Sequence, residues 1–378
     1  MVRTASESRP LSSAPAAAVT RLAGLRAWMA ERELDAAYIT RPVSIAYLTG
    51  FQAEPHERLM ALAVRPDRAT LIVPALEHEN ATRSAEQVEI VGWRDGEDPY
   101  ALVRPALDHS TRLGVEKEHL SVRAAEALEA TAAVREMVDV GPEIRRLRRI
   151  KGAAELDKLA RACVITDAVT DAVMQGIREG QTELAIAVSV GAAIAGYGAT
   201  PSFETLVQSG PNSAVPHHRP SSRALKSGDL LLLDFGAAVE GYRADTTRMA
   251  AVGDLSARQL EIHRLVLEAH DAAIDAVRAG VTTGAVDAAA RKVIEDAGHG
   301  EHFFHRIGHG LGLEAHEDPS LDPGSDMVLE LGMVFTVEPG IYIPLWGGVR
   351  IEDDVVVDAA GCRVLTKAER NLRVVSQG

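Results

Sequence analysis

The chain has 378 residues, enough for two domains with a sizeable core in each. Apolar residues make up 46% and charged residues 25%, an ordinary globular profile, and no apolar run approaches the length of a membrane span. Forty Lys and Arg against 54 Asp and Glu leave a net charge of −14, which argues against nonspecific nucleic-acid binding, because that depends on neutralising phosphates.

The opening stretch, MVRTASESRPLSSAPAAAV, is rich in Ser, Ala and Pro, and no apolar segment follows its basic residues. It reads as a disordered tail over 1–18, not as a secretion signal. Cys163 and Cys362 form neither a CxxC pair nor a disulfide framework, so a reducing cytoplasm is the expected compartment. From about Thr20, helical and strand patterns alternate: RLAGLRAWMAERE, LDAAYIT, the strand pair LMALAV and ATLIV, then ALEHENATRSA, VEIVGW, DPYALVRPALDHS, RLGVEK, SVRAAEALEATAAV and MVDVG. This alternation predicts an α/β domain over 19–141.

Pro142 then breaks the chain, and five of the seven residues from Arg145 to Lys151 are basic. That run reads either as a phosphate contact or as a solvated linker face, and the acidic balance favours the linker. The second domain, 142–378, has a different rhythm. Long helices over Ala153–Glu179, Glu183–Tyr197, Ala257–Ala279 and Thr283–Ala297 are separated by strand pairs, which predicts two copies of one α+β unit.

The chemistry sits in those strand pairs. LLLLDFGAAVEGYRADTTR ends a buried apolar strand on Asp234, turns at Glu240-Gly241 and brings back Asp245. Alone, the pair is equally a turn cap and a solvated strand residue. A second hairpin, MVFTVEPGIYIPLWGGVRIEDDVVV, carries Glu338 and Glu352 with Leu345–Gly348 as its turn. Two such hairpins bury four carboxylates, and divalent ions neutralise them directly. Between the hairpins, HFFHRIGHGLGLEAHEDP holds His302, His305, His309 and His316, with glycines 308, 310 and 312 around His309 for close approach to a ligand. SGPNSAVPHHRPSSR adds His217 and His218 on a polar loop. Four carboxylates and a histidine make an oxygen-rich donor set for Mn²⁺, Co²⁺ or Zn²⁺, and a pair of such ions serves hydrolysis.

The motifs LLLDFG, YRADTTR, RIGHGLG, FTVEPGIY and VRIEDD resemble those of the metallopeptidases that include methionine aminopeptidase, prolidase and Xaa-Pro aminopeptidase. RPVSIAYLTGF is similar to a motif of that family's N-terminal domain, and PEIRRLRRIKGAAELDKLARA to its linker. The resemblance implies a creatinase-like α/β N-terminal domain and an α+β "pita-bread" catalytic domain with pseudo-twofold symmetry. It implies metal ligands at Asp234, Asp245, His309, Glu338 and Glu352, holding two divalent ions, with Mn or Co ahead of Zn. Catalytic roles fall on His217, His316 and Glu338, and substrate positioning on His305 and Arg350, which point to the proline-peptidase branch. The implied reaction is cleavage of Xaa-Pro bonds in small peptides, dipeptides favoured, through a hydroxide shared by the ions. Relatives that cleave non-peptide amides or amidines supply the alternative, and non-catalytic binding proteins on the same fold a further one. A homodimer is implied, with a small peptide as substrate and no nucleic-acid or membrane partner. Leu345 and Trp346, bulky at their turn, are expected to line the substrate entrance.

Overall fold

The computed structural model describes residues 17–375, so the tail expected over 1–18 lies outside the described residues up to position 16, and the chain is helical from Ala17. Two units divide the chain after Leu147. In the first, a six-stranded sheet is ordered β4-β3-β2-β1-β5-β6, from β1 (Ala36–Ile39), β2 (Ala61–Val64), β3 (Ala69–Pro74), β4 (Glu89–Trp93), β5 (Arg112–Val115) and β6 (Glu136–Asp139). Only β2 runs antiparallel to its neighbours. The apolar runs AAYI, ALAV and ATLIVP are buried at every position, as strands covered on both faces require. The helices of this unit are α1 (Ala17–Glu31), α2 (Pro42–Thr49), α3 (His78–Ser84), α4 (Tyr100–Leu107) and α5 (Val122–Thr131).

Two helices depart from the sequence expectation. Helix α2 has six buried residues in a row, so it shows no 3.6-residue period; its signal was the proline in its first turn and Gly50 at φ +81° behind it. Helix α6 (Gly141–Arg149) begins where a break was expected, because Pro142 sits in its first turn, where a missing N–H costs little. Nor is the basic run a solvated face throughout. Arg148 and Lys151 are buried, and both hold Glu317, Lys151 Nζ at 2.9 Å. Arg148 also reaches Glu314 at 2.9 Å, and Arg149 reaches Asp318 at 3.4 Å.

The second unit is built twice. Helices α7 (Ala153–Gly176) and α8 (Glu183–Gly196) precede β7 (Thr200–Pro201), β8 (Leu206–Ser209), β9 (Leu230–Phe235), β10 (Ala237–Val239), β11 (Tyr242–Arg243) and β12 (Thr246–Val252). Helices α9 (Ala257–Ala276) and α10 (Thr283–Asp296) precede β13 (His309–Gly310), β14 (Glu317–Ser320), β15 (Val334–Val337), β16 (Gly340–Ile343), β17 (Gly347–Arg350), β18 (Asp353–Asp358) and β19 (Gly361–Val364); β20 (Arg373–Val375) closes the first half's sheet. The two main sheets are ordered β20-β12-β9-β8 and β14-β13-β15-β18-β19. The repeat is legible in numbers that differ by one hundred. Thr182 and Thr282 cap α8 and α10 through the N–H groups of Ala185 and Ala285. Gly180 and Gly280 take φ near +85° just before them, a left-handed turn that a side chain strains. The isolated bridges Thr182–Ala224 and Thr282–Val328 match as well.

Strand β9 explains the leucine run. Leu231, Leu233 and Phe235 pack with α7 and α8, while Leu230 and Leu232 face the opposite way, toward α9 and α10. A strand buried on both faces has no polar positions to alternate with. Asp234 shares the parity of Leu230 and Leu232 and is drawn into the interior with them.

Both hairpins are more elaborate than the sequence suggests. Asp234 faces Thr247 across β9 and β12, and Asp245 lies just ahead of β12. Between the two aspartates the chain turns off into β10 and β11. In the second hairpin Glu338 follows β15 and Glu352 precedes β18, whose residues Val337 and Asp353 pair. Residues 340–350 form a separate ribbon, β16 with β17, so Gly347 and Gly348 belong to a strand and not to the turn.

Candidate active site

The ends of β9, β12, β13, β15 and β18 open on one cavity of about 520 Å³. Asp234, Asp245, His309, Glu338 and Glu352 all line it, as do His217, His305, His316 and Arg350. One donor atom from each of Asp245, His309 and Glu352 lies within 4.8 Å of the other two. His309 Nε2 stands 3.3 Å from Glu338 Oε1 and 3.9 Å from Asp245 Oδ2. Asp234 completes the group from the side and is ion-paired through Oδ2 with Arg350.

The supports of these groups are local. Thr247 Oγ1 donates to Glu352 Oε2 at 2.6 Å, and Thr336 Oγ1 to Glu338 Oε1 at 3.1 Å. The Asp245 N–H donates to Asp354 Oδ2 at 2.9 Å, which also receives the buried Cys163 thiol at 3.4 Å. Arg350 is held on three sides: Nε donates to Thr247 Oγ1 and Nη1 to the Tyr342 hydroxyl, each at 2.9 Å, and Nη2 to Asp234. His305 Nε2 lies 3.1 Å from the same hydroxyl. His316 stacks on His309 with ring centroids 3.8 Å apart. His217 rides an exposed loop whose carbonyls at Pro216 and His218 accept from Gln208, a buried residue of β8. His218 is outside the cavity wall.

The glycines around His309 serve the chain's own packing. A Cβ at Gly308 would stand 1.9 Å from the Thr336 carbonyl oxygen, and one at Gly310 would stand 2.2 Å from that of Asp318. Their need is close strand approach, where contact with a ligand was expected. The turn pair also differs from expectation. Leu345 is 91% exposed, and Trp346 packs on the α9 side of the core with the Arg258 guanidinium over its ring at 4.9 Å. Neither lines the cavity; its apolar wall is formed by Phe203, Leu206, Val215, Pro216, Phe304 and Ala315. The sequence also did not reveal Tyr342, Thr247, Thr336 or Arg306 as site residues. Only tertiary pairing marks the first three, while Arg306, three residues before His309, was visible as a charge beside the motif.

The site concentrates buried charge. Burial, then Glu352 and Asp234, push the Asp245 carboxyl well above its ordinary range. Burial, then Glu338 and Asp234, do the same to Glu352. Burial and Asp234 raise Glu338 to about 7 against the pull of Arg350. Burial, with His316 beside it, lowers His309 to about 3, so its imidazole is neutral and able to ligate. Burial and Arg350 bring His305 to about 4. Burial opposes the charge on Arg350, but Tyr342, Asp234 and Glu352 outweigh it. Asp234 Oδ1 and Asp245 Oδ1 are buried and meet no donor among the described residues. A buried carboxylate oxygen without a partner is costly. Divalent cations fit this set: four carboxylates and a neutral imidazole, with two oxygens waiting.

Both parts of the chain match known families. Residues 157–359 match metallopeptidase family M24, and residues 21–150 match the creatinase/prolidase N-terminal domain. An uncharacterized peptidase of Staphylococcus aureus (strain MW2) is 39% identical over 341 residues, covering 90% of this chain and 96% of its own. The solved Xaa-Pro dipeptidase from Bacillus anthracis superposes with a TM-score of 0.89 at 35% identity, covering 95% of this chain and all of its own. Prolidase from Pyrococcus furiosus gives 0.84 at 36%, covering 91% and 100%. With the family model matching more than half of the chain and the creatinase/prolidase N-terminal domain preceding it in sequence, the chain belongs to metallopeptidase family M24.

Proposed function

We propose that the protein is a dinuclear-metal Xaa-Pro peptidase acting on small peptides, with dipeptides preferred. The observation that carries this reading is the convergence of Asp234, Asp245, His309, Glu338 and Glu352 in one cavity, with buried carboxylate oxygens left open. Similarity to proteins described as an Xaa-Pro dipeptidase and a prolidase supports the bond specificity. Asp234, Asp245, His309, Glu338 and Glu352 would together hold the ions. Two divalent ions held there would acidify a shared water and polarise the scissile carbonyl. The oxygen-rich donors favour Mn²⁺ or Co²⁺.

The chain's own groups do the rest. Glu338 takes the proton of the attacking water at a carboxylate oxygen and delivers it to the prolyl nitrogen as the C–N bond breaks. His217 and His316 donate hydrogen bonds to the oxygen that gains negative charge. Arg350 fixes Asp234 and the Tyr342 hydroxyl, and His305 fixes that hydroxyl from its other side. The protein works as a homodimer in the cytoplasm; both cysteines are free thiols, and no helix of the described residues is long and apolar enough to cross a membrane. Metal-loaded protein is to be assayed on Xaa-Pro dipeptides, longer Xaa-Pro peptides and ring amides. Turnover of ring amides alone, or of nothing, would overturn the reading.

A further inference from the structure

His217 lines the cavity, yet its ring makes no hydrogen bond among the described residues. Its electrostatic effect reaches His305 and His316, which places the ring near both. A side chain without partners of its own takes its direction from the backbone beneath it. That backbone is gripped by two fully buried residues, Glu183 and Gln208. Glu183, the first residue of α8, closes the loop at both ends. Its Oε1 accepts from the Ser209 N–H and hydroxyl, each at 2.7 Å, and from the Asn212 amide at 3.0 Å. Its Oε2 accepts from the Ser221 N–H at 3.0 Å, the Ser221 hydroxyl at 2.6 Å and the same Asn212 amide at 3.1 Å. Burial opposes the charge, but the hydroxyls of Ser221 and Ser209 and the Asn212 amide outweigh it and hold the carboxyl below its ordinary range. Gln208 Nε2 donates to the carbonyls of Pro216 at 2.8 Å and His218 at 3.1 Å, the residues on either side of His217.

The other half of the unit uses the same device. On α10, buried Asp287 accepts the Ile307 N–H at 3.1 Å and pairs with Arg291, which donates to the carbonyls of Phe303 and His305. In each half a carboxylate of the second helix holds the loop that carries a cavity histidine. We infer that Glu183 is a positioning residue that aims His217 by tying Ser209 to Ser221, and that Gln208 sets the peptide units on either side of that histidine. The role rests on the reading of the site as an Xaa-Pro peptidase. A hydrogen bond to a developing oxyanion counts only where its donor is already in place, and a shift of about 1 Å loses much of it. Loosening the loop should therefore lower kcat and leave KM nearly unchanged, since the oxygen gains its charge only after the substrate has bound.

Ala-Pro hydrolysis is measured with Mn²⁺-loaded full-length protein in a double-mutant cycle. His217→Ala should lower kcat roughly a hundredfold, the worth of one oxyanion donor. Glu183→Gln, whose amide sets donors against donors, should lower it about tenfold with KM within about twofold. In the His217→Ala background Glu183→Gln should add less than about twofold, because the group it positions is gone. Hydrogen exchange read by mass spectrometry should quicken across residues 210–220 in Glu183→Gln and stay native in α9 and α10. Effects that multiply across the cycle, a change confined to KM, or native exchange in the loop overturns the inference. If Glu183→Gln does not fold, Gln208→Met, which keeps the volume and removes both donations, is carried through the same cycle and decides by the same criteria. Native protein that cleaves no Xaa-Pro substrate while the loop loosens in the variant would sink the peptidase reading and leave the anchoring by Glu183 assigned; cleavage with effects that multiply would do the reverse.

Discussion

Single residues decide this site through the charge they leave uncompensated. Removing Asp245 or Glu352 as alanine takes away one of the proposed metal ligands. The expected result is loss of at least about a thousandfold in kcat/KM, roughly 4 kcal/mol, together with one or both metals by elemental analysis. Full activity with unchanged metal content would refute the ligand assignment. Glu317 makes a different prediction. Burial raises its carboxyl pKa, but Lys151 and Arg148 outweigh burial and hold it below the usual range. A depressed folded pKa stabilises fully above the unfolded value and is lost as pH falls through the folded one. Glu317→Gln strands two buried cations and should cost about 3–5 kcal/mol at neutral pH. The gap to the native protein should close below about pH 4, read from denaturation midpoints across pH. The five residues that meet in the cavity were legible in the sequence because each sits in a short, self-contained motif. Tyr342 and Thr247 were not, because their meaning is an Arg350 contact made across strands.

At the level of elements, pattern reading succeeded where one face differs from the other. The four long helices of the catalytic unit show such faces and were found, each ending slightly earlier than expected. Helix α2 is buried along six consecutive residues and has no face to read. The ribbon β16–β17 hid inside what looked like a single hairpin, because Gly347 and Gly348 read as turn residues. Gly348 is in a strand for a tertiary reason: its N–H donates to the Ser213 hydroxyl oxygen at 2.8 Å. The repeated caps offer a direct test of the duplication. Thr182→Ala and Thr282→Ala should each cost about 1 kcal/mol. The double variant should show their sum within about 0.5 kcal/mol, since the two caps share no partner. A cost at only one cap would mean that the halves are not equivalent.

For the whole molecule, the site joins the two halves of the catalytic unit. The first half gives Asp234 and Asp245; the second gives His309, Glu338 and Glu352. Metal held by these residues would therefore stabilise the unit as one body. Chelation should lower the melting temperature, and restoring metal at a hundred times its dissociation constant should recover about 2.7 kcal/mol. An unchanged melting temperature after complete metal removal would contradict this. The division into two units was legible from alternation followed by long helices, whereas the buried bonds of Arg148 and Lys151 were not. A run of like charges looks solvated until its partners, more than 160 residues away, are known.

The exposed tip at Leu345 has a consequence for covalent continuity. Glu338 and Glu352 are tied by the chain through that tip, but they are also tied by four residue pairs between β15 and β18. The backbone at Leu345 takes φ +64° on a side chain that touches solvent almost all round. Such a loop tip is where limited proteolysis enters a folded domain. A single cut there would yield a two-fragment enzyme, each fragment carrying part of the metal set. The fragments should co-elute on gel filtration, retain metal and keep turning over substrate, and separate only in denaturant.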